Sequence, residues 1–322
     1  MAEIMFGLGT SHSPQLSVPP EGWFVIAERD KVNPHVPYDA LIASDVPKRM
    51  EGLLTLEVFR EKHANCQRAI DELALALRQA EPDVMIIMGD DQEELWLDDG
   101  RPAIAVFRGS TLYDRPVPPE QDPPAYRPAH WAVHGEVEEP YPAVPALADH
   151  LIQSLMDRHF DVSIFSEQHP ERTLSHAFTF VRRRIMRDRL IPMIPIMINT
   201  YYPPNQVRAA RAWALGEAIG EAIKSWPDPV RVAVAASGGL SHFVIDEELD
   251  HQVIDAIMNR DAESLKSIPL EKLQAGSSEI CNWIAAAGAL QELTPSLVNY
   301  VPTYRSPAGT GVGMTFMQWQ PA

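Results

Sequence analysis

Apolar positions along the chain follow two alternating periods. Residues 232–236, Val-Ala-Val-Ala-Ala, form an unbroken apolar run that stops at Ser237-Gly238-Gly239. A run that is apolar at every position predicts a strand buried on both faces, as in a parallel sheet. Segments 4–9, 84–88, 103–107, 161–165 and 193–198 are further candidate strands. Residues 56–80 instead place Leu56, Phe59, His63, Cys66, Ile70, Leu73 and Leu77 on one helical face. Further helices are expected over 145–158, 205–225, 247–259 and 278–290. This alternation predicts an α/β fold, a single domain over residues 1–322 with a central, mostly buried sheet flanked by helices. Such sheets bind ligands at the carboxyl ends of their strands, so the site is expected there.

Two segments interrupt the pattern. Residues 14–50 mix prolines with charge, and residues 114–143 carry Pro116, Pro118, Pro119, Pro123, Pro124 and Pro128. Proline at that density builds neither a sheet interior nor a long helix, so both are expected to be extended surface insertions, suited to covering a site.

Three strand ends carry chemistry. His12 follows the first strand, where Pro14 pushes Ser13 out of helical geometry. The strand at 84–88 ends in Gly89-Asp90-Asp91-Gln92, and the one at 232–236 runs through its glycine turn to His242. Histidine with carboxylate or amide oxygens suits a mixed nitrogen/oxygen site for non-haem iron or a similar divalent ion. Rival chemistries lack their motifs: Ser237 has no Gly-x-Ser-x-Gly frame, and Gly7-Leu8-Gly9 is not followed by a helix-opening third glycine.

Composition narrows the partners. A formal charge of −17 argues against nucleic acid or an anionic membrane, both of which need a basic face. Two cysteines, Cys66 and Cys281, exclude a disulfide framework or a cysteine-rich metal site. With no basic leader before a long apolar stretch and no membrane-length run, a cytoplasmic protein is expected.

Five blocks now bear on family: Gly9-Thr-Ser-His12-Ser-Pro14, Pro82 to Gln92, Ile198-Asn-Thr-Tyr-Tyr-Pro-Pro204, Ser237-Gly-Gly-Leu-Ser-His242 and Gly276-Ser-Ser-Glu279-Ile-Cys-Asn-Trp283. In this order they resemble the class III extradiol ring-cleavage dioxygenases, which include the catalytic β subunits of protocatechuate 4,5-dioxygenases. The resemblance implies Fe(II), with His12 and Glu279 as ligands, His242 as the acid–base group and His176 as a further active-site histidine. One departure stands out. The family usually ends its second strand in Asn-Asp-His, whereas this chain has Asp90-Asp91-Gln92, so Gln92 takes the aligned ligand position. Asp90, Asp91 or His63 could substitute, and the Gly-Asp-Asp-Gln form resembles a branch of 3-O-methylgallate dioxygenase-like proteins.

The implied activity is cleavage of a catechol-type aromatic, such as gallate, 3-O-methylgallate or protocatechuate, using O2. Arg305 is expected to clamp a substrate carboxylate, and Tyr202 to line the pocket. A homo-oligomer is expected, with either the two insertions or a small second subunit roofing the site. Two other readings stay open: a family member without ring cleavage that serves as a binding or regulatory protein, and a metal-dependent hydrolase.

Overall fold

The computed structural model describes residues 1–322. Ten strands form: β1 (Glu3–Thr10), β2 (Val84–Gly89), β3 (Ile104–Phe107), β4 (Thr111–Asp114), β5 (Glu139–Pro142), β6 (Ser163–Phe165), β7 (Met193–Ile198), β8 (Arg231–Ser237), β9 (Thr294–Pro302) and β10 (Gly313–Gln320). Eight of them build one sheet in the order β6-β3-β7-β2-β8-β1-β10-β9, while β4 and β5 pair separately. The four central strands β7, β2, β8 and β1 are mutually parallel. Their carboxyl ends therefore share one edge, which receives Thr10, Gly89, Ile198 and Ser237.

Side chains alternate across this sheet with a period of two. On β2, Val84, Ile86 and Met88 enter the core under one face, and Met85 and Ile87 the core under the other. Helices Pro145–Asp157, Ala209–Ser225, Glu247–Met258 and Ile280–Ala289 cover the first face, and Leu56–Ala80 covers the second. Each fully buried aliphatic side chain stabilises this arrangement by roughly 1.5–3 kcal/mol. Helices Ala209–Ser225 and Ile280–Ala289 approach closely because Gly216 has no side chain; a Cβ there would lie 1.9 Å from the Ala285 carbonyl oxygen.

The expected strands and helices form, with ends shifted by a few residues; helix Ala209–Ser225 starts later than expected and Ile280–Ala289 follows a 3-10 turn at Ala275–Glu279. The sheet gains an unanticipated antiparallel end, β10 against β1 and β9 against β10. The segment 14–50 is not extended. It folds as short helices at Trp23–Asp30, Tyr38–Ile42 and Val46–Arg49, and Val18, Trp23 and Ile26 pack on Phe59. Prolines at first-turn positions, such as Pro14, Pro20 and Pro47, are compatible with such turns because the missing N–H has no helical partner there. No helix is long and apolar enough to cross a membrane.

Candidate functional site

The shared strand edge opens into a cavity of about 720 Å³, whose wall includes His12, His176, His242 and Glu279. Residues of both proline-rich segments also line it, among them Arg29, His35, Tyr126 and His134.

His12 stands just past β1 and is 3% exposed. The Ser237 hydroxyl donates to the Ala177 carbonyl at 2.6 Å, so it accepts from the His12 Nδ1–H at 2.9 Å. That assignment leaves the Nε2 lone pair unprotonated and turned into the site. Nε2 is buried and has no hydrogen-bond partner, and it stands 3.5 Å from Glu279 Oε1. A nitrogen ligand whose other ring N–H is anchored matches the usual support of metal-binding histidines.

Glu279, at the end of a 3-10 turn that opens helix Ile280–Ala289, accepts the Gly239 N–H on Oε2 at 2.6 Å. Burial pushes its pKa upward, but the His242 and His12 imidazoles outweigh that and hold the carboxyl well below its ordinary range. Asp90 completes the group: donor atoms of His12, Asp90 and Glu279 lie within 4.8 Å of one another, and all three residues are buried. Burial, with repulsion from Glu279, raises the Asp90 pKa to about 6. Two carboxylates and one imidazole form a nitrogen/oxygen donor set suited to a divalent ion. The unpartnered His12 Nε2 is the feature that such an ion would satisfy.

The place of Gln92 departs from expectation. Its amide nitrogen donates to Glu279 Oε1 at 3.1 Å and to Asp90 Oδ2 at 3.3 Å, so it supports the two acids, and Asp90 takes the third corner. Carboxylates attract the N–H side of an amide, which turns its oxygen away. Asp91 accepts the Leu95 and Trp96 N–H groups, both at 2.9 Å, and so serves the turn. His63 stays on helix Leu56–Ala80 beside Gln67 and Trp23.

His242 donates its Nδ1–H to the Leu240 carbonyl at 2.8 Å, so Nε2 faces Glu279 Oε1 at 3.5 Å. Burial lowers its pKa, but the Glu279 carboxylate outweighs this and raises it. Room for the ring requires glycine at 276, where a Cβ would lie 2.0 Å from His242 Cδ2. The His176 ring lies 4.6 Å from that of His12, and its Nδ1 is bonded to Glu94. Against the opposing effect of burial, the Glu94 charge raises the His176 pKa, and His176 in turn lowers that of Glu94.

The two expected substrate contacts fall differently. Arg305 is 3% exposed, with Nε and NH2 on Asp30 and NH1 on Gln15, so it is held as a structural ion pair although its side chain borders the cavity. Tyr202 lies under Arg101, whose guanidinium carbon is 3.7 Å from the ring centroid; its neighbour Tyr201 lines the cavity instead. Sequence reasoning missed Glu94 and Asn282. Asn282 donates to Asp90 Oδ1 at 3.3 Å and to the Ser237 carbonyl at 3.0 Å, and its place three residues after Glu279, in the helix that Glu279 caps, was the available signal.

Residues 53–315 match the family model described as the catalytic LigB subunit of aromatic ring-opening dioxygenase. The chain is 27% identical over 187 residues to a gallate dioxygenase of Pseudomonas putida, covering 54% of this chain and 52% of that protein. It is 31% identical over 186 residues to a 2,3-dihydroxyphenylpropionate/2,3-dihydroxicinnamic acid 1,2-dioxygenase of Comamonas testosteroni, covering 56% of this chain and 50% of that protein. The chain thus matches about half the length of these curated relatives.

Proposed function

The chain belongs to the family of catalytic LigB subunits of aromatic ring-opening dioxygenases, and from that premise we propose that it is an Fe(II)-dependent extradiol dioxygenase. Its substrate is a catechol-type aromatic such as gallate, 3-O-methylgallate or protocatechuate, opened with O2 in the cytoplasm. The observation that carries this reading is the buried, unpartnered His12 Nε2 facing the Asp90 and Glu279 carboxylates, with His242 Nε2 on the same Glu279 oxygen.

His12, Asp90 and Glu279 would hold the ion. Fe(II), when bound, supplies the electron path between the dihydroxylated ring and O2. The chain's own residues handle protons and placement. Because His242 Nδ1–H is committed to Leu240, Nε2 is the nitrogen that accepts a proton from a substrate hydroxyl, and the neighbouring Glu279 stabilises the imidazolium. His176, held protonated by Glu94, donates to a substrate oxygen. Gln92 and Asn282 hold the two acids in place through their amide N–H groups. The proline-rich segments along the cavity support a roof supplied by the chain itself, which would exclude water from the reacting ring.

The test is reconstitution with Fe(II) under nitrogen, then oxygen-electrode assays with gallate, 3-O-methylgallate and protocatechuate. Oxygen uptake abolished in His12→Ala and in Glu279→Ala is expected. Absence of uptake with every dihydroxylated aromatic, in protein that retains one Fe(II), would overturn the reading.

A further inference from the structure

With Arg305 committed to Asp30 and Gln15, the cavity needs another group if it is to hold an acidic arm of a substrate. Three further histidines of the wall each face a carboxylate: His130 faces Asp122, His134 faces Asp114, and His176 faces Glu94. Arg29 is different. It lines the cavity from helix Trp23–Asp30, and no carboxylate or hydrogen-bond acceptor meets its guanidinium. The two acids of its own helix are engaged elsewhere, Glu28 with Lys31 and Asp30 with Arg305.

The guanidinium is nonetheless held. Its central carbon stands 4.7 Å from the centroid of the Tyr126 ring, which belongs to the other proline-rich segment and also lines the cavity. Stacking on an aromatic face fixes the plane of the fork without consuming an N–H, so its donors stay available. In a chain of net charge −17, an unpaired arginine also lowers the local barrier to an approaching anion. Tyr201 lines the same cavity and offers a surface for an aromatic ring.

We propose that Arg29, stacked on Tyr126, is the specificity-determining residue that binds the carboxylate of an aromatic acid whose hydroxylated edge points to His12, Asp90 and Glu279. The carboxylate receives two parallel N–H bonds from the planar fork, a geometry that lysine cannot reproduce. This assignment deepens the ring-cleavage reading and rests on it for the orientation of the substrate.

The experiment is calorimetric titration of the Fe(II)-reconstituted protein under nitrogen with 3,4-dihydroxybenzoate and with catechol, which lacks the acid. Wild type is expected to bind the acid more tightly than catechol. Arg29→Met is expected to weaken the acid about ten- to a hundredfold, the effect of losing hydrogen bonds to a charged group. Catechol should bind the variant within about twofold of wild type, and Arg29→Lys should restore part of the acid's affinity. A variant that binds the acid as wild type does, or loses acid and catechol equally, would overturn the assignment, as would a wild type that prefers catechol. Admitting oxygen separates the two readings. An Arg29-dependent acid preference with no oxygen uptake leaves the carboxylate site and removes ring cleavage, whereas uptake with unchanged preference in Arg29→Met does the reverse.

Discussion

Arg305 and Asp30, 275 residues apart in sequence, form a bidentate ion pair with contacts of 2.7 and 2.8 Å and side chains each 2% exposed. The pair fastens the helix Trp23–Asp30, which carries Arg29, to the loop between β9 and β10. Thr310 adds a hydroxyl bond to Asp30 at 2.5 Å, and Gln15 bonds Arg305 NH1 at 2.6 Å.

Removing one partner strands the other charge in the interior. Arg305→Ala or Asp30→Ala is therefore expected to lower unfolding free energy by about 3–5 kcal/mol. Urea denaturation monitored by circular dichroism measures it; a loss under about 1 kcal/mol would mean the pair is not held in solution as described.

Ser237→Ala removes the acceptor that fixes His12 with its proton on Nδ1. Comparable supporting contacts are worth about 10–100-fold in metal affinity. Competition between the protein and a chromogenic chelator for Fe(II) or Co(II) reads this directly, and unchanged affinity would remove Ser237 from the site's support.

At Gly276, the added methyl of Gly276→Ala would sit 2.0 Å from His242 Cδ2 and push the imidazole aside. Turnover is expected to fall about a hundredfold or more, the usual effect of an ångström-scale misplacement. Metal content should stay near that of wild type, since the three atoms nearest the added methyl all belong to His242 and none to His12, Asp90 or Glu279; loss of metal together with turnover would contradict the separation of roles.

Asp250 supports the loop before His242, accepting from Ser241 N–H at 2.7 Å, Ser241 Oγ–H at 2.8 Å and Tyr300 O–H at 2.8 Å. Burial raises its pKa from 3.8 to about 6, in spite of these donors. The folded state thus holds the proton more tightly than the unfolded chain, so its stabilisation is full below about pH 4 and is lost as pH rises through 6. The loss is roughly 2–3 kcal/mol. Asp250→Asn should flatten the wild-type decline between pH 4 and 7 in denaturation midpoints, and parallel curves for the two proteins would exclude this role.

Much of this architecture is legible in the sequence alone. The apolar runs at 84–88, 193–198 and 232–236 became the central parallel strands because residues buried on both faces leave no polar position in the pattern. The C-terminal pair β9–β10 is not legible in the pattern, since Pro295 and Pro302 disfavour β9 as a strand except at a sheet edge, where it lies.

Within the site, local chain geometry alone was enough to bring forward His12 and His242, because a glycine- or proline-bounded turn after a buried strand must deliver its next side chains to one edge. Choices between neighbours were beyond it. Whether Asp90 or Gln92 faces His12, and whether Tyr201 or Tyr202 enters the cavity, depends on how each turn is rotated against helices far away in sequence. Arg305 and Arg29 pose the same problem for charge: an arginine's availability is set by whether a carboxylate reaches it, and Asp30, one residue from Arg29, spans the fold to neutralise Arg305 instead. Periodicity is a one-dimensional property and survives in the chain, whereas pairing between distant side chains exists only once the layers have packed.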